Sequence, residues 1–102
     1  MSIKCIIVDD ERLAQNVLEK YINTLPSLLL LQKCSTALEA LSYLHEHPVD
    51  LMFLDINMPE MSGLDMIKTL EKASKVILTT AYSEYALESY DYGIVDYLLK
   101  PI

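Results

Sequence analysis

Short apolar runs alternate with amphipathic stretches along the whole chain, and no other feature constrains the fold as strongly. The apolar runs are brief and rich in β-branched residues or leucine, which predicts strands covered on both faces. These strands cover 3–8, 28–33, 50–54, 75–79 and 95–99. The stretches between have helical spacing and predict helices at 11–23, 36–46, 64–71 and 83–92. The alternation is typical of an α/β domain with a doubly wound parallel sheet and right-handed crossovers.

The helical spacing also predicts which side chains face the core. The first helix should bury one apolar stripe, with Ala14 at its edge. The stripe comprises Leu13, Val17, Leu18, Tyr21 and Ile22. The second should start at an N-cap formed by Ser35 or Thr36, with Glu39 in its first turn. Its inward residues should be Ala37, Leu38, Leu41 and Leu44. The two glycines, Gly63 and Gly93, fall at helix boundaries, where a positive φ is often needed.

Size and charge restrict the class of protein. With 102 residues, 52% of them hydrophobic, the chain predicts one folded domain and excludes disorder. No apolar run approaches the roughly 20 residues that cross a bilayer, and no secretory signal opens the chain, so we expect a cytoplasmic protein without membrane contact. A net charge of −7 opposes direct binding to nucleic acid.

Cysteine and histidine do not indicate a metal site. Cys5 and Cys34 lie in or beside apolar segments and lack metal-ligand spacing, which predicts buried reduced thiols. His45 and His47 lie just before Pro48 and should form the solvated end of a helix.

Polar residues end four of the predicted strands, and parallel strands bring their carboxyl ends to one edge of the sheet. The residues concerned are Asp9 and Asp10, Asp55, Thr79 and Thr80, and Lys100. Three crowded carboxylates repel one another, so a divalent cation with oxygen ligands, Mg²⁺ or Mn²⁺, is the simplest partner. Lys100 and a threonine hydroxyl would then suit a phosphoryl group, with a carboxylate as its acceptor.

These residues resemble the response-regulator receiver domains of two-component signalling, over essentially all of residues 1–102. Val8-Asp9-Asp10 is similar to the family's acidic pair, and residues 54–63 resemble its phosphoacceptor loop with the turn glycine Gly63. Thr80-Ala81 resembles the switch threonine with its small neighbour, and Lys100-Pro101 the lysine followed by a cis-proline. The resemblance implies the flavodoxin-like strand order 2-1-3-4-5.

The resemblance also implies a role for each site residue. Asp55 would be phosphorylated by a sensor histidine kinase. Asp10, Asp55 and the Asn57 backbone carbonyl would bind Mg²⁺, with Asp9 acting through a metal-bound water. Thr80 and Lys100 would bind the phosphoryl oxygens. Tyr97 matches the aromatic switch position, with a plain core tyrosine as the alternative reading.

Residues 79–86 further resemble the subgroup fused to LytTR-type DNA-binding domains, which implies a transcriptional output domain outside this chain and leaves a homodimer open. Receivers normally continue into a fifth helix, so residues 1–102 read as a receiver truncated after strand five. Two rivals remain: a phosphohydrolase with an aspartyl nucleophile, and an interaction module that has lost phosphorylation. Asn57 lacks the general acid that a haloacid-dehalogenase-type hydrolase needs, so we expect no enzyme beyond self-phosphorylation and self-dephosphorylation.

Overall fold

A five-stranded parallel sheet forms the centre of the computed structural model, which describes residues 2–69, 75–80 and 94–100. The strand order is β2-β1-β3-β4-β5, as the resemblance implied. The strands are β1 (Ile3–Val8), β2 (Leu28–Cys34), β3 (Leu51–Asp55), β4 (Lys75–Thr80) and β5 (Ile94–Leu99). Each predicted strand is therefore present, with its ends shifted by no more than one residue.

Three helices lie within the described residues: α1 (Arg12–Asn23), α2 (Ala37–Glu46) and α3 (Gly63–Thr69). Thr36 is the N-cap of α2, and its side chain accepts a hydrogen bond from the Glu39 N–H, which confirms one of the two expected caps. The predicted helix at 83–92, and Gly93 after it, lie outside the described residues. None of the described helices is long and apolar enough to cross a membrane.

The side chains of the sheet alternate between two apolar clusters, one on each face. On one face Cys5, Ile7 and Phe53 pack with Leu18 and Ile22 of α1. On the other, alternate residues of β1, β3 and β4 pack with α2 and α3. This second cluster includes Ile6, Val8, Met52, Leu54, Val76, Leu78, Ala37, Ala40 and Met66. Helices therefore cover both faces, as the alternation predicted.

The predicted inward faces of α1 and α2 are confirmed at Leu18, Ile22 and Ala37, which are buried, and wrong at three other positions. Leu13 and Tyr21 are 79% and 54% exposed, and α1 instead buries Gln15 with Leu18 and Ile22. Leu38 is 60% exposed, while the small residue Ala40 faces the core. Leu41 and Leu44 do pack against the core, as expected. Periodicity therefore identifies the buried face of each helix, but not which residues at its margins are exposed.

The cysteine and histidine predictions are confirmed. Cys5 and Cys34 are free, buried thiols, and burial raises the pKa of both, that of Cys34 to about 11. His45 and His47 are exposed at the end of α2, where the His47 ring stacks on Tyr43 with centroids 4.3 Å apart.

Candidate functional site

The carboxyl edge of the sheet brings three of the predicted site residues together. Ile7, Phe53 and Leu98 share the cluster on the α1 face. Two residues further along their strands lie Asp9, Asp55 and Lys100, so the two-residue period of a strand directs them to the same side. Lys100 Nζ lies 3.2 Å from Asp9 Oδ2 and 3.5 Å from Asp55 Oδ1, across 91 and 45 positions of sequence.

Four carboxylates crowd this edge. Asp9, Asp10, Glu11 and Asp55 each offer an oxygen, and these oxygens all lie within 4.8 Å of one another. Asp9 and Asp55 are buried, whereas Asp10 and Glu11 are exposed. Backbone N–H groups hold the buried pair, since Glu11 N donates to Asp9 Oδ1 at 2.9 Å and Asn57 N donates to Asp55 Oδ1 at 3.3 Å. Such clusters of oxygen donors suit a hard divalent cation.

The ionisation of Asp55 shows how short of positive charge the cluster is. Its pKa is raised to about 7, first because burial disfavours the carboxylate and then because Asp9 repels it, with a hydrogen bond that the protonated Asp55 carboxyl donates to Asp10 adding to the rise. Lys100 and the Asn57 N–H oppose this rise without cancelling it. Burial likewise raises the pKa of Asp9 against the Glu11 N–H and Lys100.

Lys100 stays firmly protonated in this setting. Burial disfavours its ammonium, but the hydrogen bond to Glu11 and the charges of Asp55 and Asp9 outweigh that cost, so its pKa is raised. The contact with Glu11 Oε1 is the shortest of the three, at 2.6 Å. Among the described residues, this ammonium is the one cation paired with the cluster, so the site carries excess negative charge at neutral pH.

Gly63 fixes the loop that follows β3. The Gly63 N–H donates to the Ile56 carbonyl at 2.8 Å, and the Ile56 N–H donates to the Thr79 carbonyl at 3.0 Å. A Cβ on Gly63 would overlap the Asp55 carbonyl oxygen and lie 3.0 Å from the Asp55 carbonyl carbon. Gly63 does not have a positive φ, so the expected reason for the glycine is wrong. A glycine is needed here because the backbones of Gly63 and Asp55 approach each other closely.

Glu60, rather than a glycine, adopts the left-handed conformation in this loop. Its φ is 71°, a region that costs a non-glycine residue of order 1 kcal/mol. The loop between Asp55 and α3 is therefore tightly turned.

Sequence reasoning missed Gln15. Its side chain is 7% exposed, and Nε2 donates to the Asp9 carbonyl at 2.6 Å and to the Cys34 carbonyl and Ser35 Oγ, both at 3.3 Å. The amide thus ties the ends of β1 and β2 to α1. Nothing in the sequence distinguishes this glutamine from an exposed one on a helix.

Glu11 was also missed as a site residue, because the helical pattern assigned it to the first turn of α1. The sequence feature that could have identified Glu11 as a site residue is its position as the third acidic residue in a row after β1. Its partner Lys100 is 89 positions away and could not be inferred from local spacing.

For the remaining predicted site residues, the structure describes only some of the backbone and side-chain positions. The backbones of Thr80 and Tyr97 lie in β4 and β5, opposite Leu99 and Leu78 respectively, but their side chains lie outside the described part of the structure. Pro101 also lies outside it. Asn57 is exposed in the loop after β3. Thr79 is buried, and its hydroxyl has no hydrogen-bond partner among the described residues.

Comparison with known proteins is consistent with the geometry of the site. A family model described as the response regulator receiver domain matches residues 5–102. The transcriptional regulatory protein BtsR of Escherichia coli (strain K12) is 38% identical over 102 residues, which cover 98% of this chain and 43% of BtsR. The chain thus spans less than half the length of the curated relatives it matches.

Solved structures agree with this assignment. The response regulatory domain of mrkE from Klebsiella pneumoniae has a TM-score of 0.89 at 35% identity, with 98% of this chain and 84% of that chain covered. The response regulator TrrA from Thermotoga maritima, solved in complex with Mg(2+)-BeF, has a TM-score of 0.83 at 29% identity, covering 96% and 86%. The chain therefore belongs to the response regulator receiver domain family.

Proposed function

We propose that residues 1–102 form the phosphorylation-switched receiver of a two-component response regulator. In this proposal Asp55 accepts a phosphoryl group from a sensor histidine kinase, and Mg²⁺ or Mn²⁺ is required. One observation carries the proposal: Asp55 is buried at the end of β3 beside a second buried carboxylate, Asp9, and the ammonium of Lys100 contacts both. A nucleophile, a cluster of cation ligands and a phosphate-binding cation are thereby within a few ångströms of one another.

The donor set fits a divalent cation. Asp10 and Asp55 would hold it with the Asn57 backbone carbonyl, and Asp9 would act through a bound water. Asp9 Oδ2 supports this, because it is buried and accepts no hydrogen bond among the described residues, although Lys100 Nζ lies 3.2 Å away. A bound cation would supply the missing positive charge, lower the pKa of Asp55 and stabilise charge on the transferred group.

Each residue then has a defined part in the transfer. A carboxylate oxygen of Asp55 forms the new bond to phosphorus, while the bond from phosphorus to the histidine nitrogen of the kinase breaks. The Lys100 ammonium pairs with a phosphoryl oxygen, and the Thr80 hydroxyl donates to another. The charge of about −1.5 to −2 that arrives with the group would draw Thr80 inward and leave room for the Tyr97 ring.

The output of the switch would lie outside residues 1–102. The net charge of −7 opposes direct DNA contact by this domain, whereas its curated relatives include transcriptional regulatory proteins. We therefore assign DNA binding to a separate output domain. The resemblance of residues 79–86 to the LytTR-associated subgroup supports a domain of that type.

Labelling with acetyl phosphate tests the site. Wild type should gain one phosphoryl group, read by intact mass, when Mg²⁺ is present and none after chelation. Asp55→Asn should abolish labelling, and Asp10→Ala should reduce it at least tenfold by removing a cation ligand. Glu46→Gln, an exposed substitution at the end of α2, is the matched control. Equal labelling of wild type and Asp55→Asn would overturn the assignment.

A further inference from the structure

The shortest contact of Lys100 is to Glu11, a residue to which no role has yet been given. Glu11 Oε1 lies 2.6 Å from the ammonium, compared with 3.2 Å for Asp9 Oδ2 and 3.5 Å for Asp55 Oδ1. In the unphosphorylated chain, Glu11 is therefore the leading partner of the lysine that the proposed function assigns to the phosphoryl group.

The local backbone explains why Glu11 can reach Lys100. Glu11 is the N-cap of α1, with an extended backbone at φ −97° and ψ 116°. Short side chains such as Ser, Thr, Asp and Asn usually accept a hydrogen bond from the first turn of the helix at this position, whereas the longer Glu11 side chain makes no such bond. Its N–H is instead held by Asp9 Oδ1. The carboxylate is thereby directed across the cluster to β5.

The two ends of this contact differ in exposure. The Glu11 side chain is 62% exposed, whereas the side chains of Lys100 and Asp55 are 15% and 3% exposed. Glu11 therefore binds the ammonium at the solvent side of the cluster, opposite the buried Asp55. A group arriving on Asp55 would meet a lysine that is already engaged elsewhere.

We infer that Glu11 acts as a latch on Lys100, competing with the phosphoryl group for its ammonium. The inference rests on the proposed function and adds a positioning residue to it. The ion pair between Glu11 and Lys100 favours the unphosphorylated state, because Lys100 must weaken its bond to Glu11 before it can contact the phosphoryl oxygens fully. Glu11 would thereby lower the affinity of the site for the phosphoryl group.

Two substitutions separate the contact from the charge. Glu11→Gln keeps the length of the side chain and removes its charge. Glu11→Asp keeps the charge and shortens the side chain by one methylene, which breaks a 2.6 Å contact. Glu46→Gln serves as a control for net charge. The probe is fluoroberyllate, a phosphoryl mimic, titrated at saturating Mg²⁺ so that changes in cation affinity do not enter.

The latch predicts that both Glu11 variants bind fluoroberyllate about three- to fivefold more tightly than wild type, the upper part of the range expected for a partly exposed ion pair. It also predicts that the Lys100 ammonium nitrogen shifts in ¹⁵N NMR spectra of both variants without Mg²⁺ or fluoroberyllate. Tighter binding by Glu11→Gln alone would mean that charge, not contact, matters, and would overturn the latch.

The outcomes also separate the latch from the proposed function. Unchanged affinity in both variants, beside a wild type that binds the mimic, would overturn the latch alone. A wild type that binds Mg²⁺ but no fluoroberyllate would overturn the proposed function, and with it the competition that defines the latch. An unchanged Lys100 ammonium signal in Glu11→Gln would show that the contact is absent in solution.

Discussion

Replacing Gly63 with alanine sets two effects of opposite sign against each other. Alanine in place of glycine usually stabilises a helix, by about 0.5–1 kcal/mol in its interior. Gly63 is the first residue of α3, so propensity alone predicts a small gain. Against it stands the overlap of the new Cβ with the Asp55 carbonyl oxygen, with two further main-chain atoms at 3.0 and 3.1 Å.

The overlap should dominate, because the opposing atoms belong to backbone on the sheet and cannot rotate away. Either β3 or the start of α3 must shift, at a cost of about 1–3 kcal/mol for overpacking. The shift would also weaken the 2.8 Å hydrogen bond from Gly63 N to the Ile56 carbonyl, a bond worth about 1 kcal/mol. After subtracting the helical gain, we expect a net loss of about 1–3 kcal/mol in the free energy of unfolding.

Urea unfolding followed by circular dichroism measures this loss. With a slope of about 2 kcal/mol per molar urea, the middle of the usual range, the midpoint should fall by about 0.5–1.5 M. Lys68→Ala, at an exposed position of the same helix, should stay within about 0.5 kcal/mol of wild type. A Gly63→Ala protein that is as stable as wild type, or more stable, would refute the steric reasoning and leave helix propensity as the larger effect.

Three other perturbations follow from the geometry. The pKa of Asp55 is raised to about 7 in the folded state without metal, compared with about 3.9 in the unfolded chain. The folded state therefore holds this proton more tightly, and the free energy of unfolding falls as the pH rises from about 4 to about 7. Asp55→Asn should make that fall smaller, although the raised pKa of Asp9 leaves part of it, and should exceed wild type in stability at pH 8. Parallel pH profiles would contradict this. Gln15→Leu should lower the free energy of unfolding by about 2 kcal/mol, because it leaves buried acceptors unpaired. Asn16→Leu, exposed on the same helix, should change it little. Equal urea midpoints for the two variants would argue against the role of the Gln15 amide. Cys5 and Cys34, buried with raised pKa values, should resist a thiol-specific disulfide reagent at pH 8 until urea is added, and rapid labelling of the folded chain would show that the thiols are accessible.

The strands were predictable because their signals are local. Each strand of a doubly wound sheet is buried on both faces, so it appears as a short apolar run. The ends of those runs gave the positions of Asp9, Asp55 and Lys100, and the parallel arrangement alone brings them together. Thr36 was predictable for a similar reason, since capping depends on residues only three positions apart.

The errors involve contacts that local patterns do not contain. Leu13 and Tyr21 fit the predicted apolar stripe of α1 but are exposed, whereas the amide of Gln15 is buried with three partners at the ends of β1 and β2. Glu11 was assigned to a helix because its partner is 89 positions away. Gly63 was expected to supply a positive φ, whereas the close backbone of Asp55 determines its identity.

The strand order has a consequence for how the chain acquires its site. Asp9 follows β1, which lies beside the central strand β3. Its counter-ion Lys100 follows β5 at the edge of the sheet, 91 residues later. During synthesis, β1 and β3 can pair before β5 has left the ribosome, which places Asp9 and Asp55 together without an ammonium between them. Their mutual repulsion then opposes the partly folded state until β5 docks. The carboxyl edge of the sheet should therefore be the last part of this domain to become ordered.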